Sequence, residues 1–176
     1  MSPLFTAAIF GLLAAFLAVI VEIVTSISPL ALQLDSAKYI GLSSQHWLTW
    51  KGLLPLILLA GIEESVRFVF LRQFILHYRV SDEPFSLKEK ILLGLAFGVG
   101  FSSLEAFLIL NGGDWRLVGR ELSGIIMLHT AISLIFSFLL LRHPTSKPNK
   151  YSVTLLILGL AVVLHTLYNL GILLYS

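Results

Sequence analysis

Five apolar segments, each long enough to cross a bilayer as a helix, occupy most of this 176-residue sequence, at roughly 3–27, 51–78, 88–110, 121–141 and 151–175. About 20 helical residues span ~30 Å of hydrocarbon. Lipid offers the backbone no hydrogen-bond partners, so a spanning segment must satisfy its own amides and carbonyls, as a helix does. The expected fold is an all-α integral membrane protein: one transmembrane domain over 1–176, built as a bundle of about five transmembrane helices.

Composition excludes several alternatives. Hydrophobic residues make up 57% of the chain and charged residues only 12%, against about a quarter charged in soluble domains. A formal charge of +2 is too small to point to nucleic acid. With no cysteine, disulfides, thiolate metal sites and cysteine nucleophiles are ruled out. The first apolar segment lacks a basic leader and a clear small-residue cleavage site, so it reads as a retained span.

Turn-forming residues punctuate the connections: Pro29, Asp82-Glu83-Pro84, Asn111-Gly112-Gly113-Asp114, and Pro144 to Asn149. The first connection, 28–50, is long and half apolar, with Trp47 and Trp50 suited to an interface. A short helix lying on the membrane is expected there. Arg72, Arg79, Lys88, Lys90, Arg142, Lys147 and Lys150 flank the second and fourth connections, whereas the first and third have only Lys38, Lys51, Arg116 and Arg120. The positive-inside rule then sets the N-terminus in the cytoplasm and the C-terminus outside, in the cell membrane.

Against this apolar background, ionisable residues in mid-span are costly and rarely present without a partner or a task. Glu63 lies ~18 Å inside the end of its span at Lys51, taking ~1.5 Å per residue, with Glu64 next to it; Glu105 is ~13 Å from Asp114, His129 ~12 Å from Glu121 and His165 ~16 Å from Ser176. These depths agree within about one helical turn, so spans two to five can bring the groups to one level while the first packs peripherally. Glu22, near the end of the first span, is expected at the outer interface with no role. His46, His77 and His143 fall in connections or at helix ends and read as solvated.

Adjacent helix residues diverge by ~100°, so Glu63 and Glu64 cannot address the same atom. Arg67 follows one turn later, acid before base, the favoured order for a helix pair. Two acids and one base leave a surplus carboxylate, a natural general base in a low-dielectric cavity. Glu105 follows a small-residue face, Gly98, Gly100, Ser102 and Ser103, that permits close helix approach; an isolated acid there can equally be protonated and bonded between helices. His129, His165 and Glu105 are of the types that hold zinc, though no HExxH run is present. Asn169, four residues after His165, shares its helix face and is placed to stabilise an oxyanion or to bond between helices. The residues thus leave both a zinc-dependent and a metal-free route open, and the diglutamate favours the metal-free one.

In order along the chain these groups form Glu63-Glu64-x-x-Arg67, then Phe101-x-x-x-Glu105, then a lone His129, then His165-x-x-x-Asn169. The set resembles the PrsW family of intramembrane proteases, distant relatives of the CAAX-processing endoproteases. The second motif separates the two branches, since Phe101 to Glu105, preceded by Phe97-Gly98-x-Gly100, looks like the PrsW pattern, whereas the CAAX type has His in the last place. The likeness runs from about Leu54 onward. Arg67 stands where PrsW proteins more often have lysine, and Ala106 where asparagine is common. The resemblance implies proteolysis within or beside the membrane of a membrane-anchored protein or peptide, as in site-1 cleavage of anti-sigma factors. Glu63, Glu64, Glu105, His129, His165 and Asn169 would be catalytic and Arg67 supporting. A different class of protein, a proton- or ion-coupled transporter or channel, also uses intramembrane Glu and His, but no internal repeat of the transporter kind is visible.

Overall fold

A computed structural model describes residues 2–26, 50–78, 85–112, 115–142 and 150–175 of the chain. They form five helices: α1 (Pro3–Ser26), α2 (Trp50–Tyr78), α3 (Leu87–Gly112), α4 (Trp115–Arg142) and α5 (Lys150–Tyr175). Among the described residues there is no strand, as expected of an all-α membrane protein. The surface helix expected within 28–50, with Trp47 and His46, lies outside the described residues, as does His143.

Local chemistry sets the helix starts. Ser2 accepts the Phe5 amide on its hydroxyl (3.3 Å), with Pro3 at the first helical position where its missing N–H costs nothing. Ser86 and Glu89 form a capping box before α3: the Ser86 amide donates to Glu89 Oε2 (2.7 Å) and the Glu89 amide to Ser86 Oγ (3.2 Å). α4 begins at Trp115 rather than near 121. Arg116, Arg120 and Glu121 end the apolar run without ending the helix, because all three are compatible with helical backbone.

Among the described residues, four helices are long and apolar enough to cross a membrane by composition: Pro3–Thr25, Leu87–Leu108, Leu122–Leu140 and Ser152–Ile172. The remaining helix, α2, is the longest at 29 residues, and it carries Glu63, Glu64 and Arg67 at its centre. Its two fully buried charges, Glu64 and Arg67, are turned into the bundle rather than to lipid.

α3 is the spine of the bundle, packed along α1 on one side and α4 on the other; α2 lies against α1, α5 and, less extensively, α4. Glycine permits the closest approaches. A Cβ on Gly98 would come within 2.6 Å of the Thr130 Cα of α4, and one on Gly100 within 2.0 Å of the Ala8 carbonyl oxygen of α1. Phe74, Phe97, Phe101, Phe136, Leu71 and Ile132 fill the core, with Phe68 edge-on to Phe136 at 5.4 Å. Phe5, Phe16, Met127 and Leu156 point outward, the arrangement suited to a chain whose solvent is lipid.

Candidate active site

The central turns of α2 divide the two glutamates. Glu64 is fully buried, while the side chain of Glu63 keeps 16% of its surface exposed. Arg67, also fully buried, donates from Nη1 to both oxygens of Glu64 (2.8 and 2.7 Å). Its guanidinium lies 3.9 Å from the centroid of the Phe101 ring, a cation–π contact that suits a desolvated charge.

From Arg67 the network runs to α4 and α3. Nη2 of Arg67 donates to Nδ1 of His129. Arginine has donors only, so Nδ1 of His129 is the lone-pair nitrogen and Nε2 carries the hydrogen. That hydrogen is directed at Oε2 of Glu105, whose side chain is one-third exposed. On the other side, Glu64 Oε1 accepts a 2.7 Å hydrogen bond from Nδ1 of His165 on α5. In the neutral ring the lone pair then sits on Nε2, which faces Oε2 of Glu63 across 3.6 Å. The two imidazoles stand edge to face, 5.2 Å apart at 74°.

Six of the residues singled out in the sequence, Glu63, Glu64, Arg67, Glu105, His129 and His165, thus form one cluster drawn from four helices. Asn169 is half-buried one turn beyond His165, and among the described residues no hydrogen bond joins it to the cluster. One oxygen of Glu63 and one nitrogen each of His129 and His165 lie within 4.8 Å of one another, a donor set of the kind that binds metal ions. Glu63 holds the position in this set that the sequence reading gave to Glu105; Glu105 engages His129 instead.

Glu22, expected at the outer interface, is half-buried on α1, with its Oε1 shielded and without a hydrogen-bond partner. The signal was available, because Ala7, Gly11, Ala14 and Ala18 mark one small-residue face of α1 and Glu22 continues it.

A cleft of about 580 Å³ lies between α1, α2 and α5, lined by Val21, Ile57, Gly61, Ile62, Ser65 and Val162 among others.

A helix bundle with a buried acid–imidazole–guanidinium network at the centre of its spans has the make-up of an enzyme that works within the bilayer. The chain belongs to the PrsW family of intramembrane metalloproteases, whose family model matches residues 2–176. At the level of the family it is therefore a peptidase embedded in lipid, acting on protein. No curated protein and no solved structure matches it.

Proposed function

We propose that this chain is an intramembrane endopeptidase in which Glu63 activates the hydrolytic water and Glu64 holds the site together. The observation that carries this reading is the unequal commitment of the two acids. Both oxygens of Glu64 are taken, by Arg67 and His165, whereas Glu63 is partly exposed and faces a free imidazole nitrogen.

In this reading a membrane-anchored segment enters by way of the cleft and brings its scissile carbonyl to the partly exposed Glu63. A water donates one hydrogen bond to the Glu63 carboxylate and one to Nε2 of His165, which Glu64 keeps in the correct tautomer. Glu63 takes the water's proton as its oxygen attacks the carbonyl carbon, and returns that proton to the departing amine nitrogen as the C–N bond breaks. One water and one peptide bond give one carboxylic acid and one amine. Asn169 supplies an amide donor for the oxyanion. Arg67, His129 and Glu105 keep the network in register. The N-terminus is taken as cytoplasmic, from the distribution of basic residues, and the substrate as one anchored in the same membrane.

The family description implies a metal, and the donor set around Glu63, His129 and His165 suits one by type and spacing. The hydrogen bonds do not. His129 spends its lone pair on Arg67 and presents a hydrogen to Glu105. Ligation through Nδ1 would displace the guanidinium, and ligation through Nε2 would leave the ring an imidazolate. Two free donors remain, one short of the three protein ligands of a catalytic zinc. The reaction is therefore assigned to the protein's own groups.

The deciding experiment combines cleavage of a quenched single-span peptide with elemental analysis of the purified protein. Turnover indifferent to chelator and lost in Glu63→Gln is expected. Turnover abolished by chelator and restored by stoichiometric Zn²⁺ would overturn the metal-free assignment, and full turnover in Glu63→Gln would overturn the role of Glu63.

A further inference from the structure

α1 is held against α3 at backbone contact: a Cβ on Gly11 would come within 2.1 Å of the Phe97 carbonyl oxygen and 2.9 Å of the Phe101 amide nitrogen. Helices packed this closely have little freedom to rotate, so the backbone that carries Phe101 is fixed. α3 is not a close neighbour of α2, yet the buried Phe101 ring bridges to the α2 cluster. Its centroid lies 3.9 Å from the guanidinium carbon of Arg67 and 5.1 Å from that of the His129 ring.

Arg67 is paired in an uncommon way. An arginine often meets a carboxylate as a fork, two nitrogens on two oxygens. Here Nη1 alone serves both oxygens of Glu64, Nη2 is given to His129, and Nε is buried with no hydrogen-bond partner. The fork would draw Nη2 away from His129 and shift the guanidinium along Glu64. The ring opposes that shift, because a cation is attracted to the negative face of an aromatic ring.

We infer that Phe101 is a positioning residue of the active site: its ring keeps the Arg67 guanidinium divided between Glu64 and His129. Through Arg67 it keeps Oε1 of Glu64 turned to Nδ1 of His165. This rests on the proposed function, in which Glu64 and His165 present the water to Glu63. Loss of the ring's attraction would let the fork compete, and turnover would fall with the fraction of molecules left in the divided arrangement.

The test uses the full chain in detergent, assayed on a quenched fluorescent peptide with one apolar span. Position 101 is filled in turn by phenylalanines bearing one, two or three ring fluorines. Fluorine withdraws electrons from the ring face and weakens its hold on a cation with little change of shape. Phe101→Leu removes the face altogether, and Glu63→Gln tests the reading beneath. We expect kcat to fall stepwise along the fluorine series, reaching roughly tenfold at three fluorines and in Phe101→Leu. KM should change by about twofold or less. A ring that only filled space would be sensitive to leucine and indifferent to fluorine. If Phe101→Leu fails to fold, the fluorine series still decides. If Glu63→Gln is inactive while kcat does not follow the number of fluorines, the proposal for Phe101 fails alone. If Glu63→Gln keeps its turnover, the base assignment fails and takes the role of Phe101 with it.

Discussion

Glu64 on α2 and His165 on α5, 101 residues apart in sequence, are joined by a 2.7 Å hydrogen bond from the imidazole Nδ1 to the carboxylate Oε1. The bond ties the last helix to the second and, by fixing the tautomer of His165, leaves Nε2 turned toward Glu63. The same carboxylate neutralises Arg67. One buried group therefore stabilises the bundle and orients a neighbour, and its loss should be felt in both.

Replacing Glu64 by glutamine is expected to destabilise the protein by about 3–5 kcal/mol, because Arg67 would be left buried without a counter-ion. Glu63→Gln should change stability by about 1 kcal/mol or less, since it breaks no short ion pair, yet it should abolish cleavage. Thermal unfolding in detergent beside a cleavage assay measures both. Similar unfolding curves for the two variants would contradict the division of roles.

Arg67→Lys tests the geometry of the network. Lysine can still pair with Glu64, but as a point charge it cannot also reach His129 in the manner of a planar guanidinium. Nε of Arg67 has no hydrogen-bond partner, so the principal loss is the bond from Nη2 to His129. A cost of about 1–2 kcal/mol is expected, with partial activity. Arg67→Met should lose about 3 kcal/mol or more by stranding Glu64. Equal melting of the two variants would show that the His129 contact, and not the ion pair, sustains this part of the fold.

Glycines with the same local sequence cost should differ sharply in tolerance. Gly100→Ala places a methyl group against the Ala8 carbonyl, with 2.0 Å available, and must push α1 from α3. A loss of about 1–3 kcal/mol is expected from the overpacking. At Gly159 nothing lies within 4 Å of the new Cβ, so Gly159→Ala should be neutral or stabilising by up to about 1 kcal/mol through helix propensity. Paired melting curves would show whether the α1–α3 contact is as tight as the backbone distance requires.

Gly61 lines the cleft and also has open space where a Cβ would stand. Gly61→Leu should fill part of that space without disturbing the fold. A fall in kcat/KM of about tenfold or more on a single-span substrate, carried mainly by KM, is expected if the cleft receives the substrate. Unfolding should be unchanged. Undiminished kcat/KM would mean that substrate reaches Glu63 by another path.

Much of the molecule could be read directly from its sequence because the bilayer narrows the choices. Long apolar segments must become helices, and the common depth of Glu63, Glu105, His129 and His165 follows from a fixed rise per residue. Depth, however, says nothing about rotation. Whether Glu63 or Glu64 turns into the interior depends on how α2 is rotated against α4 and α5. It is this packing that gives Glu64 to His165, beside Arg67, and leaves Glu63 partly exposed. The same limit explains why Glu105, expected beside both histidines, engages only His129, and why Glu63 faces His165 instead. Glu22 lies on the α1 face of Ala7, Gly11, Ala14 and Ala18. Its half-buried place could not be known until α1 was seated on α3, because the approach of two helices is decided by complementary surfaces on both, and a sequence displays those surfaces one at a time.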